Sequence, residues 1–248
     1  MPDAVGYRKK FGVIVPSTNT VVEADYNRMA PPGVTFHTGR MYIGQPVMDS
    51  DAAFQAILEQ IRASVGAAIR DVMTCQPDYM VMGMSSETFW GGVAGNARFI
   101  ERVRAQSGLE VSTGASACRA ALERLGVRRI AVLSPYQAIA DRQVTGFFEE
   151  SGFTVVRFKG LRCPTATSIA EVTEGPLRRI LAEELNGPDA EAIVQVGTNL
   201  SMVRLADEAE RWLGKPVLAI NAVTLWHALR ASGVMDQLHG CGSLLREH

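Results

Sequence analysis

Residues 191–202 read EAIVQVGTNLSM, an apolar run that stops at Gly197 and is followed by small hydrogen-bonding side chains. Residues 78–89, DYMVMGMSSETF, repeat this order of strand, glycine and hydroxyl side chains. Two further pairs of segments match in the same way: GVIVPSTNT (12–20) with RIAVLSPYQ (129–137), and LEVSTGASACRAALERLG (109–126) with KPVLAINAVTLWHALRASG (215–233). Because self-similarity along a chain marks repeated structural units, the sequence predicts two similar α/β halves.

The hydrophobic pattern predicts how each half is built. Short apolar runs alternate with stretches that keep apolar residues at three- and four-residue spacing, which is typical of a parallel sheet covered by helices. We expect strands at 11–16, 34–41, 78–84, 109–114, 129–135, 154–161, 192–197 and 216–221, and helices at 52–73, 117–126, 141–152 and 201–214. The predicted fold is α/β, with two pseudo-symmetric parallel-sheet halves and the active site in the cleft between them.

The repeat also predicts the limits of the halves. We place the first half at residues 1–114 and the second at 115–221. The remaining residues, 222–248, are expected to form a C-terminal helix (222–235) and a tail that pack back on the first half.

The composition excludes several classes of protein. A chain of 248 residues with 47% hydrophobic side chains buries a large core. Its 25 lysines and arginines nearly cancel its 26 aspartates and glutamates, so no overall field recruits nucleic acid or an anionic membrane. The sequence shows neither a signal peptide nor an apolar run of about 18 residues, so we expect a cytoplasmic protein. Cys75, Cys118, Cys163 and Cys241 lie far apart, with no CxxC and no histidine at metal-ligand spacing, which indicates reduced thiols and no metal site.

The carboxyl ends of four predicted strands carry neutral hydrogen-bond donors. In a parallel sheet, ligands collect at this edge, where helix N-termini also point free N–H groups. Hydroxyl and amide groups there suit a carboxylate or another small anion. The same residue types also cap helices, each worth about 1 kcal/mol, but their presence at all four symmetric strand ends favours a site. The candidate residues are Pro16, Ser17, Asn19, Met84, Ser85, Ser86, Glu87, Tyr136, Gly197, Thr198 and Asn199.

Two neighbouring features of the first half have open interpretations. Glu87 suits either a capping box or an acid–base role inside a cleft. Phe89 and Trp90, followed by Gly91 and Gly92, suit either ordinary packing or a mobile apolar wall over a ligand, with the glycine pair as its hinge.

Three motifs carry a resemblance to a known family. GVIVPSTNTVVEADYNRMAPPGVTFHTGRM (12–41), VLSPY (132–136) and GTNLSM (197–202) resemble the maleate isomerase and arylmalonate decarboxylase branch of the aspartate/glutamate racemase superfamily. The similarity runs over essentially the whole chain. The resemblance implies two pseudo-symmetric α/β halves with the site between them, no metal and no organic cofactor, small carboxylic acids as substrates, and a homo-oligomer.

The sequence departs from this family at two positions. In the superfamily each half usually presents a cysteine at the end of its motif strand, and the two thiols face opposite sides of the substrate. Here the first position is Met84 and the second is Gly197. A shift of one residue would put Thr198 at the second position, which restores no thiolate. Hydroxyl groups lack the acidity of a thiol near neutral pH unless a base lies beside them, so racemisation by a pair of thiols is not expected.

The first functional hypothesis is a cofactor-independent isomerase or lyase that acts on a small carboxylic or dicarboxylic acid through an enediolate-like intermediate. In this hypothesis Asn19 and Tyr136 hold one carboxylate. The pairs Ser85-Ser86 and Thr198-Asn199 bind the charge that develops in the transition state.

Glu87 or a bound water moves the proton, and Cys163, in GLRCPTATS (160–168), supplies a displaced thiol if its loop folds over the cleft. Two alternatives stay open. One is a hydrolase or hydratase of a small cyclic or amide substrate, similar to members linked to ectoine utilisation, with water oriented by Glu87. The other is a protein that binds a carboxylate without catalysis.

Overall fold

The computed structural model describes residues 3–248 and contains two four-stranded parallel sheets. The first sheet has the order β2-β1-β3-β4 and the second has the order β6-β5-β7-β8. The strands are β1 (Lys9–Pro16), β2 (Val34–Met41), β3 (Tyr79–Met82), β4 (Val111–Ser112), β5 (Arg129–Ser134), β6 (Thr154–Gly160), β7 (Ala192–Gln195) and β8 (Val217–Ala219). Because the two sheets share one strand order and all their pairings are parallel, the predicted fold class is confirmed.

Helices follow the strands along the chain. They are α1 (Val22–Arg28), α2 (Asp51–Met73), α3 (Ser86–Phe89), α4 (Gly92–Ser107), α5 (Gly114–Arg124), α6 (Ala138–Glu150), α7 (Glu174–Arg179), α8 (Val203–Leu213), α9 (Ile220–Ala231) and α10 (Ser243–Glu247). A π-helical turn (Ile180–Leu185) continues α7, and a 3-10 turn covers Ser168–Glu171. Four of the five predicted helices correspond to α2, α5, α6 and α8, with ends that move by up to three residues, and the helix predicted at 222–235 corresponds to α9, which ends four residues earlier than expected.

Helix α2 shows how the sequence positions a wall of the site. Ser50 caps its N-terminus by accepting a hydrogen bond from the N–H of Ala53 at 3.1 Å. Phe54, Leu58 and Ile61 then recur at three- and four-residue spacing and are buried, so the helix lays one apolar face against the protein interior.

Several elements differ from the sequence prediction. Helix α4 was not expected, because glycines at its start hide the spacing of its buried residues Phe99 and Val103. The last predicted strand ends early, at Ala219, and α9 begins directly at Ile220. Helix α9 packs on α5, β3 and β4. The division of the chain into halves near residue 114 stays a prediction. No helix within residues 3–248 is both long and apolar enough to cross a bilayer.

Candidate active site

The loops that leave β1, β3, β5 and β7 meet around one buried cavity. These four strands occupy the inner positions of the two sheets, so their carboxyl ends are where a ligand site is expected. The lining side chains come from both halves and are Pro16, Thr18, Asn19, Ile43, Met48, Phe54, Ile57, Ile61, Met84, Ser85, Ser86, Tyr136, Ala166, Ile169, Thr198 and Asn199. The structure therefore brings together eight of the residues selected from the sequence: Pro16, Asn19, Met84, Ser85, Ser86, Tyr136, Thr198 and Asn199.

Hydroxyl groups from the two halves bond to each other across this cavity. The Ser85 Oγ lies 2.7 Å from the Tyr136 hydroxyl. The Thr198 hydroxyl donates to the carbonyl of Gly83 at 3.1 Å and accepts from the Asn19 Nδ2 at 3.2 Å. Burial raises the pKa of Tyr136 above its usual value, so the phenol stays protonated at neutral pH. It is available as a hydrogen-bond donor and not as a base.

The two asparagine amides at the cavity are largely occupied by the backbone. The Asn19 Oδ1 accepts from the N–H groups of Val21 and Val22, each at 3.0 Å, at the start of α1. The Asn199 Oδ1 accepts from the N–H of Thr20 at 3.0 Å, and its Nδ2 donates to the carbonyl of Ala166 at 2.9 Å. Asn19 therefore both bonds to the backbone at the start of α1 and lines the cavity. Its Nδ2 keeps a second N–H free for a ligand.

Apolar side chains and two paired loops close the other side of the cavity. The loop after β2 and the loop after β6 form an antiparallel bridge at Val47 and Thr165. The N–H of Met48 donates to the carbonyl of Pro164 at 2.8 Å, and a second bond of 2.8 Å returns from Ala166 to Pro46. About 50 Å³ stays free inside, whereas a cavity that takes benzene is about 150 Å³. The free volume is smaller than an organic acid needs, so binding of such a ligand requires the lining side chains or loops to move.

Four selected residues do not line this cavity. Ser17 is not among the lining residues, and its Oγ accepts from the N–H of Ile43 at 3.0 Å. Cys163 is buried, its N–H donates to the carbonyl of Pro135 at 3.0 Å, and burial raises the pKa of its thiol, which disfavours the thiolate. Glu87 and Gly197 are described next.

Glu87 points away from the cavity although it directly follows two residues that line it. Its Oε1 accepts from the Arg62 Nε at 2.8 Å, and its side chain lies in a separate cleft beside Trp90. Successive helical residues are rotated by about 100°, so Ser86 and Glu87 of α3 face different surroundings. The structure therefore does not place Glu87 within reach of a ligand held by Tyr136.

Gly197 adopts a backbone conformation that leaves no room for a side chain. Its φ is +103°, and a Cβ at this position would lie 2.4 Å from the Cγ of Pro135 and 2.6 Å from its Cδ. Carbon atoms normally approach no closer than about 3.5 Å. The Pro135 ring therefore fills the space that a cysteine side chain would need.

Sequence reasoning missed two arginines that hold the site loops. The Arg40 guanidinium donates to the carbonyl of Asn19 at 3.1 Å and pairs with Glu23 at 2.5 Å. In the other half, Arg162 donates to the carbonyl of Tyr136 at 2.6 Å and pairs with Asp141. Arg40 lies near the end of the edge strand β2 and Arg162 lies just after the edge strand β6, so the repeat was a signal that could have identified the pair.

The site contains no evident metal centre. Within residues 3–248, no group of three or more histidine, cysteine, aspartate or glutamate side chains is arranged to hold a metal ion. The cavity itself is lined by neutral side chains only, as far as the described residues show.

The fold and the cavity define an α/β protein whose small-molecule site lies between two like halves. A family model described as arylmalonate decarboxylase matches residues 11–245, which is nearly the whole chain. The protein belongs to the arylmalonate decarboxylase family, and the resemblance seen in the sequence is confirmed.

The relatives are named for two different reactions, isomerisation of maleate and decarboxylation of arylmalonates. The chain is 26% identical to a maleate isomerase of Pseudomonas putida over 248 residues, which cover 95% of this chain and 96% of that protein. It is 26% identical to an arylmalonate decarboxylase of Bordetella bronchiseptica, with 90% of each chain covered. A solved structure with a TM-score of 0.86 and 23% identity, covering 97% of this chain and 99% of the other, is a cysteine-to-serine variant of a Nocardia farcinica maleate cis-trans isomerase with a covalently bound succinylcysteine intermediate.

Proposed function

We propose that this protein is a cofactor-independent lyase that decarboxylates a small malonate-type dicarboxylic acid bearing an apolar substituent. One observation carries the proposal. The cavity combines a cluster of neutral hydroxyl donors with apolar walls, and among the described residues neither a thiol nor a charged side chain lines it. The proposal is finer than the family assignment, because that family includes relatives named for isomerisation and for decarboxylation.

The apolar walls favour loss of a carboxylate. Ile43, Met48, Phe54 and Ile57 face the donors, and a carboxylate pressed against such side chains is poorly solvated. Carbon dioxide is neutral and apolar, so its formation relieves this unfavourable burial. The substituent of the acid gains from the same walls, at about 25 cal/mol per Å² of apolar surface removed from water.

The reaction balances without a cofactor. The bond between Cα and one carboxylate carbon breaks, its electron pair moves into the other carboxylate to form an enediolate, and carbon dioxide leaves. The Ser85 and Tyr136 hydroxyls donate to the enediolate oxygens, whose charge is greater in the transition state than in the substrate. A proton then adds to Cα and gives the monocarboxylic acid.

Tyr136 is the proposed source of that proton, directly or through a water. Its raised pKa keeps it protonated, and the carbon of an enediolate is a far stronger base than a phenolate. Once Cα is protonated, the Ser85 hydroxyl turns from the product carboxylate to the phenolate oxygen, 2.7 Å away in the structure, and stabilises it until it is reprotonated from solvent.

Two other reactions lose support at this site. The Nocardia farcinica isomerase carries a succinylcysteine intermediate, and a matching step here would need a thiol in the cavity. The hydrolase alternative used Glu87 to orient water, but that carboxylate is bound to Arg62 outside the cavity.

The test is incubation with phenylmalonate and, separately, with maleate in D₂O, followed by ¹H NMR. We expect phenylacetate labelled with deuterium at Cα, and no fumarate from maleate. Tyr136→Phe and Ser85→Ala each remove one donor and should lower kcat by roughly 10²–10³-fold. Tyr7→Phe, at a tyrosine that is 54% exposed, is the matched control and should leave turnover unchanged.

The outcomes separate the hypotheses. Fumarate from maleate would make the protein an isomerase despite the missing thiols. Phenylmalonate that raises the melting temperature without being converted would indicate a binding protein, since a ligand at a hundred times its Kd adds about 2.7 kcal/mol to stability. Undiminished turnover in Tyr136→Phe would remove this hydroxyl from the mechanism.

A further inference from the structure

A second cleft lies on the side of α3 that faces away from the cavity. It lies between α2, α3 and α4, has a volume of about 380 Å³ and is open to solvent. Its chemistry differs from that of the cavity, because three arginines, Arg62, Arg98 and Arg102, line it together with the rings of Trp90 and Phe99.

Two of these arginines have no acidic partner. Arg62 pairs with Glu59 at 2.6 Å and with Glu87 at 2.8 Å. Within residues 3–248, neither Arg98 nor Arg102 has a carboxylate within 4.0 Å or a side-chain hydrogen bond. Both lie on the exposed face of α4, so the outer part of the cleft carries uncompensated positive charge and attracts an anion.

The cleft also offers flat surfaces. The Arg62 guanidinium carbon lies 5.9 Å from the centre of the Trp90 ring, and that of Arg102 lies 5.0 Å from the centre of the Phe99 ring. Trp90 is only partly buried and leaves indole surface open to the cleft. Stacked guanidinium and indole planes accept a further planar group.

At the inner end of the cleft, a buried acceptor lacks a donor. Glu87 is 8% exposed, and its Oε1 is bound by Arg62. Its Oε2 is buried and has no hydrogen-bond partner among the described residues. An unpaired buried carboxylate oxygen is unfavourable, so a ligand with an N–H or O–H group gains by supplying the missing donor.

We propose that this cleft binds an aromatic carboxylic acid that carries an N–H or O–H donor. Its carboxylate pairs with Arg98 and Arg102, its ring stacks on Trp90, and its donor bonds to the Oε2 of Glu87. The site does not depend on the proposed decarboxylase activity, because it shares no lining residue with the cavity.

The probe is 4-aminobenzoate, titrated into the full chain by isothermal calorimetry and compared with benzoate and with inorganic phosphate. We expect 4-aminobenzoate to bind about tenfold more tightly than benzoate, because a hydrogen bond to a charged acceptor is worth about that factor. Phosphate should bind more weakly than either acid, since it cannot stack.

Variants assign the binding to this cleft. The double variant Arg98→Gln/Arg102→Gln should weaken 4-aminobenzoate at least tenfold. The matched control is Arg128→Gln, because Arg128 also lies over a phenylalanine, Phe153, at 5.8 Å and is exposed; it should not change the affinity.

A third variant tests the role of the unpaired Oε2 of Glu87. Glu87→Gln should remove the preference for 4-aminobenzoate over benzoate while leaving benzoate binding in place. The proposal is overturned if 4-aminobenzoate does not bind at millimolar concentration, if its binding is lost in Tyr136→Phe and kept in the double arginine variant, or if phosphate binds as tightly as the aromatic acid.

Discussion

The family resemblance leads us to expect a second cysteine at the position of Gly197. Substitution of Gly197 by alanine tests whether this position has room for a side chain. An added Cβ would lie 2.4 Å from the Cγ and 2.6 Å from the Cδ of Pro135, in a residue whose φ is +103°. The neighbouring atoms belong to a ring that cannot rotate away. Two separate costs therefore act on the folded state, one from the backbone and one from the collision.

The magnitude follows from these two costs. Holding a residue other than glycine at such a positive φ costs about 1–3 kcal/mol, and overpacking an interior costs about 1–3 kcal/mol more. Taking about 2 kcal/mol for each, we expect the free energy of unfolding to fall by about 4 kcal/mol. At about 2–4 °C per kcal/mol for a chain of this size, the melting temperature should fall by roughly 8–16 °C.

The assay is thermal unfolding followed by far-UV circular dichroism, with two glycine controls. Gly214→Ala carries the backbone cost alone, because Gly214 has φ +67° and an added Cβ would meet no atom within 4 Å. Gly146→Ala carries neither cost, since Gly146 lies inside α6 with open space around it, and should stabilise by about 0.5–1 kcal/mol.

A double variant, Pro135→Ala with Gly197→Ala, measures the collision itself. Removing the ring should recover about 1–3 kcal/mol of the loss as a coupling energy between the two positions. If Gly197→Ala melts at the temperature of Gly214→Ala, or if the double variant shows no coupling, Pro135 does not close the position and the reasoning fails.

Three further predictions concern an ion pair, a buried histidine and a buried aromatic ring. Arg162→Met removes the ion-pair partner of the buried Asp141 carboxylate and should lower the free energy of unfolding by about 2 kcal/mol in urea titrations. The control Arg142→Met, at an exposed ion pair, should lower it by less than about 1 kcal/mol. Burial lowers the pKa of His227 below its usual 6.5, so below that pH the unfolded chain binds a proton that the folded chain resists. Stability should therefore fall as the pH drops below about 6.5, and His227→Asn should reduce this fall in urea titrations at about pH 7.5 and 5.5. Phe54→Ala, at a ring that is 2% exposed, should lower the free energy of unfolding by about 3–5 kcal/mol.

The position of the site was readable from the sequence because it depends on topology. Asn19, Ser85, Tyr136 and Thr198 each follow an apolar run, and parallel strands place such residues at one edge of a sheet. Because the two halves repeat, the strand ends of the first half indicated where those of the second half lie in the sequence. These inferences need only the order of elements along the chain.

The direction of individual side chains was not readable in the same way. Glu87 is one residue beyond Ser86, and α3 is a single turn whose start has no side-chain cap, so nothing local indicates which residue faces the cavity. The closing of the cavity depends on contacts between distant segments, such as the bridge from Val47 to Thr165. Phe54 looks in the sequence like any buried residue of an amphipathic helix, although in the structure it lines the cavity and its ring centre lies 5.4 Å from that of Tyr136.

The two positions without a cysteine differ in a way that constrains the chemistry. Met84 lines the cavity and is 2% exposed, so a smaller side chain fits there without a collision. Gly197 is backed by Pro135 and has no space for a Cβ. A thiol can therefore be introduced from the first half by Met84→Cys but not from the second half by Gly197→Cys. Any proton donor that the second half contributes must therefore lie elsewhere than at residue 197, and the proposed mechanism assigns this role to Tyr136, which directly follows Pro135 and bonds to Ser85.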